Sequence, residues 1–152
     1  MNNIDYLEEY DKLKTKVLKY IIYKKRTENE IRQKFSSVID EEILEDIIEE
    51  LKENGYIDDS NYIDRAVQEF IALKNMSIKE IKYKLFAKGL SNDIIDEYIS
   101  NHIDELTDYE IQSIKNIFYK KQMAMETEEI KQFLLKKGYG MENIKQALSE
   151  VE

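Results

Sequence analysis

Three cations stand at one position of a recurring motif: Arg32 follows Glu30-Ile31, Lys82 follows Glu80-Ile81, and Lys131 follows Glu129-Ile130. Fixed charges at regular spacing bind rather than catalyse. They suit a partner that itself repeats, either phosphates along a strand or acidic groups along a protein filament. Lys24, Lys25 and Arg26 lie just before the first copy of the motif, and Lys79, Lys84 and Lys88 surround the second. A plainer assignment competes, in which each cation is a solvated helix residue paired locally. Glu28 stands four residues before Arg32, a spacing worth roughly 0.2–0.5 kcal/mol in a helix. If phosphate is the partner, affinity falls steeply with salt.

Chemistry of other kinds is poorly supplied. The 152 residues include no Cys and one His, so there is no thiolate ligand, no cysteine nucleophile and no multi-histidine metal cage. His102 stands where the repeated stripe has Leu51 and has neither a nucleophile nor an obvious partner, which fits a partly buried residue at a helix end. Two acidic runs, Asp40-Glu41-Glu42 through Glu50 and Asp93 with Asp96 and Glu97, lack the loop spacing and turn glycine of a calcium site. Acids in the first turn of a helix are ordinary dipole chemistry. No glycine-rich phosphate loop occurs. No catalytic residue, metal or cofactor is therefore expected, and the chain does not read as an enzyme. Of the eleven tyrosines, Tyr62 and Tyr98 fall on apolar stripes and Tyr56 sits beside a turn glycine, where it is expected to cover a junction, so base stacking is not expected.

The elements that must carry these residues are helical. Pro is absent, Gly occurs four times, and apolar residues recur three or four apart, as in Ile43, Leu44, Ile47, Ile48 and Leu51 and in Ile94, Ile95, Tyr98 and Ile99. No window alternates with period two, so no sheet is predicted. Thr27-Glu28-Asn29-Glu30 and Ser77-Ile78-Lys79-Glu80 are capping boxes that start helices. Lys88-Gly89, Lys137-Gly138 and Asn54-Gly55 stop them. Asp40, Ser91, and Asp58 or Asp59 cap the helices that follow.

Offsets of 50 and 49 superpose Thr27-to-Phe35 on Ser77-to-Leu85 and then on Glu126-to-Leu134. The first copy is one residue shorter over Phe35-to-Asp40 and lacks the Gly. The chain thus predicts an all-α fold: an elongated, curved array of three tandem three-helix repeats over 1–57, 58–105 and 106–152, the last the most divergent. One globular nine-helix bundle is the alternative packing. Met1-Asn2-Asn3-Ile4-Asp5 has no basic start before an apolar run, and no stretch approaches the ~18 uncharged apolar residues of a membrane span. A cytoplasmic protein with no membrane partner is the expectation.

The net charge of −9 averages over alternating blocks. Residues 11–35 carry nine basic and three acidic groups, whereas 36–64 carry one and eleven. Residues 65–89 carry six and two, and 90–110 carry seven acids alone. In the first two repeats the early helices are basic and the third is acidic. If the repeats stack in register, one long face is positive and the other negative.

The chain resembles the RecX family, the modulators of the RecA recombinase. The stretches that carry the resemblance are Lys24-Lys25-Arg26-Thr27 through Phe35, Leu51-Lys52-Glu53-Asn54-Gly55-Tyr56-Ile57-Asp58-Asp59 through Tyr62, and Ile78 through Leu85 leading to Lys88-Gly89-Leu90, in that order over residues 13 to 151. The resemblance implies a modular helical protein that lies in the groove of the RecA–single-strand DNA filament. There it would restrain filament growth, ATP turnover and strand exchange, acting as a monomer. RecA is then the expected partner, with direct contact to the single-stranded DNA left open. On this view Arg32, Lys82 and Lys131, with their basic neighbours, meet the filament. The competing function is a helix-turn-helix transcription regulator. That class needs a base-reading third helix, and the third helices of the first two repeats are strongly acidic.

Overall fold

The computed structural model describes residues 3–151, so Met1 and Asn2 of the N-terminal stretch considered above lie outside it. The described residues form helices α1 (Asn3–Tyr23), α2 (Glu28–Phe35), α3 (Glu41–Glu53), α4 (Asp59–Leu73), α5 (Ile78–Ala87), α6 (Asn92–Asn101), α7 (Ile103–Lys121), α8 (Thr127–Lys137) and α9 (Met141–Val151), with no strand among them. The first three run long, short, medium, at 21, 8 and 13 residues, whereas the later sets pair one long helix with two of equal length, 15, 10 and 10 and then 19, 11 and 11. The fold is all-α and built of tandem three-helix repeats, as the periodicity predicts. Among the described residues no helix is long and apolar enough to cross a membrane.

Two compact units divide the chain. One runs through Tyr62 and takes in Lys88–Leu90; the other comprises Ile63–Ala87 and the residues from Ser91 on. In the first, α1 and α2 pack on α3 around Val17, Ile21, Ile31, Phe35, Ile47 and Leu51. Tyr20 meets Phe35 edge-on at 5.6 Å. In the second, α7 lies along α9, and Ile114, Ile130, Leu134, Ile144 and Ala147 fill the space between α7, α8 and α9.

The helix starts use the predicted chemistry. Thr27 Oγ1 accepts from the Glu30 N–H at 3.1 Å while Glu30 Oε1 accepts from the Thr27 N–H at 3.0 Å. Ser77 and Glu80 repeat the reciprocal pair, both at 3.0 Å. Asp58, rather than Asp59, caps α4, accepting from the Asn61 N–H. Both capping hydroxyls are fully buried because each has a second task. Thr27 Oγ1 donates to the Lys88 carbonyl at 2.7 Å, and Ser77 Oγ donates to the Lys137 carbonyl at 2.8 Å. The start of one short helix is thereby fastened to the chain that ends the corresponding helix one repeat later. Glycine follows each accepting carbonyl, with φ +92° at Gly89 and +96° at Gly138.

A carboxylate completes each of these joints. Asp59 Oδ1 accepts from the Glu28 N–H at 3.0 Å, and Glu110 Oε1 from the Ile78 N–H at 2.8 Å, the first amides of α2 and α5. These amides have no partner within their own helix, and the positive end of the helix dipole favours an acid there. Burial raises Asp59 above the usual aspartate range, against the pull of that amide. Glu110 is buried inside α7, where its other oxygen accepts from the Gly140 N–H and the Asn143 side-chain amide at the start of α9. One carboxylate therefore serves two helix starts.

Buried tyrosines give the fold an alkaline limit. Burial first, and then the hydrogen bond to Asp64 at 2.9 Å, push the Tyr98 phenol up to about 12. Burial raises Tyr139 as well. An unfolded chain ionises its tyrosines near 10. The folded state holds these protons more tightly, so their contribution to stability is whole below pH ~10 and is lost as pH rises towards the folded value. The urea midpoint is expected to fall between pH 9 and 11.5, and to fall less steeply in Tyr98→Phe. Equal pH slopes in the two proteins would remove Tyr98 from this account.

Candidate interaction surface

The three cations of the motif are placed by the residues before them. Ile31, Ile81 and Ile130 are each 0% exposed, so every backbone in the set is pinned to a core and the next side chain emerges at the core's edge. Each cation meets an acid of its own chain. Arg32 forks onto Glu45 of α3 through both terminal nitrogens and reaches Glu28 through Nε at 3.5 Å. Lys82 pairs with Asp96 of α6 at 2.9 Å. Lys131 pairs with Glu128 on its own helix at 3.2 Å. The local pairing anticipated for Glu28 and Arg32 is present, and a stronger one stands beside it. The hydrogen bond with Glu45 holds Arg32 above and Glu45 below their ordinary pKa ranges.

Glu45 and Asp96 occupy corresponding positions in the first two repeats, so the pair is a brace from the short helix to the acidic third helix. The corresponding residue of the last repeat is Lys145, which lies 4.0 Å from Glu142. The brace is therefore missing there, and Lys131 turns back along α8. These pairs are largely solvent-exposed and worth about 0–1 kcal/mol each, so an incoming anion can exchange with them at little cost.

The flanking cations separate into kinds. Lys24 and Lys25 are exposed in the link from α1 to α2. Arg26 is half-buried, its guanidinium 4.2 Å from the centre of the Tyr20 ring, and so it is committed to a cation–π contact. Lys88 is half-buried and gives its carbonyl to Thr27. Lys79 and Lys84 are exposed on α5, where they line one side of a groove of about 310 Å³. The other side is α8 and its end, with Lys136, Lys137 and Gly138. Lys136 and Lys137 were not singled out by the motif. The signal that could have found them is the second alignment itself, which sets Lys137 on Lys88.

The tyrosines and the histidine settle differently. Tyr98 is core, 8% exposed, whereas Tyr56 is 47% exposed and Ile57 is the residue that turns inward after Gly55. His102 closes α6 and stacks on Tyr98 at 4.0 Å, with Nδ1 2.8 Å from the Tyr98 carbonyl. It is a half-buried helix-end residue, as expected.

No family model matches the chain. It is 30% identical over 164 residues to the regulatory protein RecX of Clostridium acetobutylicum, a match covering 98% of this chain and 76% of that protein. To RecX of Clostridium tetani it is 32% identical over 154 residues, covering 95% and 69%. RecX of Staphylococcus carnosus is longer: the match, at 28% identity, takes in 89% of this chain and only 52% of that protein. Among solved structures, RecX from Lactobacillus salivarius superposes with a TM-score of 0.80 at 25% identity, over 95% of this chain and 97% of the other. A second RecX crystal structure shares the fold with the same TM-score at 22% identity.

Proposed function

The chain belongs to the RecX family of regulatory proteins, and from that premise we propose that it is a non-enzymatic modulator of the RecA recombinase, occupying the groove of the RecA–single-strand DNA filament. Three repeats, 1–57, 58–105 and 106–152, each present one cation to a partner that is itself periodic. The single observation that carries this reading beyond family membership is the shared backbone position of Arg32, Lys82 and Lys131, each directly after a fully buried isoleucine at the edge of a core. Their weak exposed pairs are the kind that a filament's acidic groups or phosphates displace. Binding of this kind predicts no chemistry. It restrains ATP turnover, extension and strand exchange by contact area and stoichiometry.

The test is the rate of RecA ATP hydrolysis on single-stranded DNA with and without the protein, over a salt series. Hydrolysis is expected to fall as the protein approaches a fixed ratio to RecA, and the effect to weaken as salt rises. The folded triple variant Arg32→Glu, Lys82→Glu, Lys131→Glu is expected to lose at least tenfold in potency. An unchanged rate with the wild-type protein at saturating ratios would end the proposal. Undiminished inhibition by the triple variant would take these three residues out of it.

A further inference from the structure

Helix α1 carries an order of charge that its own fold does not use. Asp5, Glu8, Glu9 and Asp11 stand in its first half, and Lys12, Lys14, Lys16 and Lys19 in its second. Asp5, Glu9, Lys12 and Lys16 fall at i, i+4, i+7 and i+11, so they form one stripe along the helix. The stripe lies on a different side from Val17 and Ile21, which α1 buries, and all four of its side chains are exposed. With Glu8 and Leu13 they line a shallow groove of about 460 Å³. Lys14, on the inner side of the helix, pairs with Glu50 at 3.2 Å. Among the described residues, Glu8, Glu9, Lys12 and Lys16 form no ion pair within their own chain, although Glu8 precedes Lys12 by the four residues that favour one.

Turned end for end, the stripe complements itself. When two α1 helices lie antiparallel about a two-fold axis beside residues 10 and 11, Asp5 faces Lys16 of the second copy and Glu9 faces its Lys12. Both pairs recur on the other side of the axis, because a two-fold contact uses the same patch twice. A parallel pair would set like charges together along the whole stripe. A slip that brings Glu9 onto its own copy, or Lys12 onto its own copy, is repelled as well. Charge order of this kind is how paired helices choose partner and orientation.

We propose that this stripe of α1 is a docking surface for a second copy of the chain, the two helices antiparallel. A wholly acidic partner would meet Lys12 and Lys16 and be repelled by Asp5 and Glu9, and a wholly basic one would do the reverse. Only a partner with the same order inverted satisfies every position, and a second copy has it. Exposed ion pairs are individually weak, so the association is reversible and screened by salt. The resemblance to RecX implies a monomer, and this face departs from that expectation. The inference goes beyond the proposed function, since the stripe contains none of Arg32, Lys82 and Lys131.

The experiment is sedimentation equilibrium of the full chain over a range of protein concentration, at about 0.1 M and about 1 M salt, where charges are felt over about 10 Å and about 3 Å. At the lower salt the repulsion between two bodies of net charge −9 is already damped, while facing charges still attract. The wild-type chain is expected to pass from monomer to dimer with concentration at the lower salt and to remain monomeric at the higher. Glu9→Lys is expected to weaken the dimer at least tenfold, and Lys12→Glu likewise. The double variant Glu9→Lys, Lys12→Glu keeps the net charge and inverts the pair, so it is expected to dimerise as the wild type does. The variants Asp5→Lys with Glu9→Lys, and Lys12→Glu with Lys16→Glu, are each expected to stay monomeric alone and to associate when mixed. All these positions are exposed, and circular dichroism is expected to show unchanged helix content in each variant.

A wild-type chain that stays monomeric at every concentration at the lower salt overturns the proposal. So does a dimer that Glu9→Lys leaves intact, which would place the contact elsewhere, or one that the charge-swapped double variant fails to restore.

Discussion

Glu110→Ala is expected to lower the stability of the second compact unit by about 3 kcal/mol, read as a fall in the urea midpoint at constant slope. The carboxylate is buried and takes up three donors: the first amide of α5, the Gly140 amide and the Asn143 side chain. Truncation leaves all three donors without their protein acceptor. It also removes an acid from the positive ends of two helices at once, which adds to the loss. Glu110→Gln separates these effects. Its shape is preserved and one oxygen remains, so an intermediate cost of about 1–2 kcal/mol is expected, from the amide nitrogen that now confronts a donor. If Ala and Gln cost the same small amount, the triple acceptance is not what holds α5 and α9 to α7.

The second large effect is expected at two glycines and not at a third. Gly55, Gly89 and Gly138 all adopt positive φ, so a side chain at any of them carries a left-handed penalty of roughly 1–2 kcal/mol. A methyl group at Gly55 meets nothing within 4 Å. At Gly89 it would lie 2.7 Å from Asn29 Cβ, and at Gly138 2.9 Å from Lys79 Cβ. A Cβ atom is fixed by its backbone and cannot swing aside, so the clash must move the joint that Thr27 or Ser77 makes with the preceding carbonyl. Gly55→Ala is therefore expected to cost about 1 kcal/mol, and Gly89→Ala or Gly138→Ala about 2–3 kcal/mol. For a chain of this size that is a further drop of several degrees in Tm. Equal costs at the three sites would show that conformation alone, and not close approach, dictates glycine there.

What the sequence disclosed and what it withheld follow from the range of the interactions. The capping boxes at Thr27 and Ser77 and the stops at Gly89 and Gly138 were legible because their partners lie three or four residues away and the residue types are diagnostic. The stripe Leu44, Ile47, Ile48 and Leu51 was legible for the same reason. Asp59 and Glu110 were not, since their partners are 31 and 32 residues distant and an acid is unremarked in a chain with 32 of them. The choice between Asp58 and Asp59 as cap turned on that distant amide. For the candidate surface, the alignment picked out Arg32, Lys82 and Lys131. It could not show that the first two are engaged by Glu45 and Asp96, because those acids sit on a different helix among other acids. That Tyr83 and Phe86 stand exposed was withheld because α5 carries apolar residues beyond its buried stripe, and only packing decides which of them the core accepts.

The hydroxyl of Thr27 fastened to the carbonyl of Lys88 bears on the order of events at the ribosome. An emerging chain can complete the reciprocal bonds of Thr27 and Glu30 as soon as α2 clears the exit. The carbonyl that accepts from the hydroxyl and the Asn29–Gly89 seat arrive only some sixty residues later. The Glu28 amide likewise waits for Asp59. The first repeat is thus left provisional until its successor has been synthesised, and the second waits in the same way for Glu110 and Lys137. Neither joint can close before the later length of chain exists, so each helix start depends on residues translated after it.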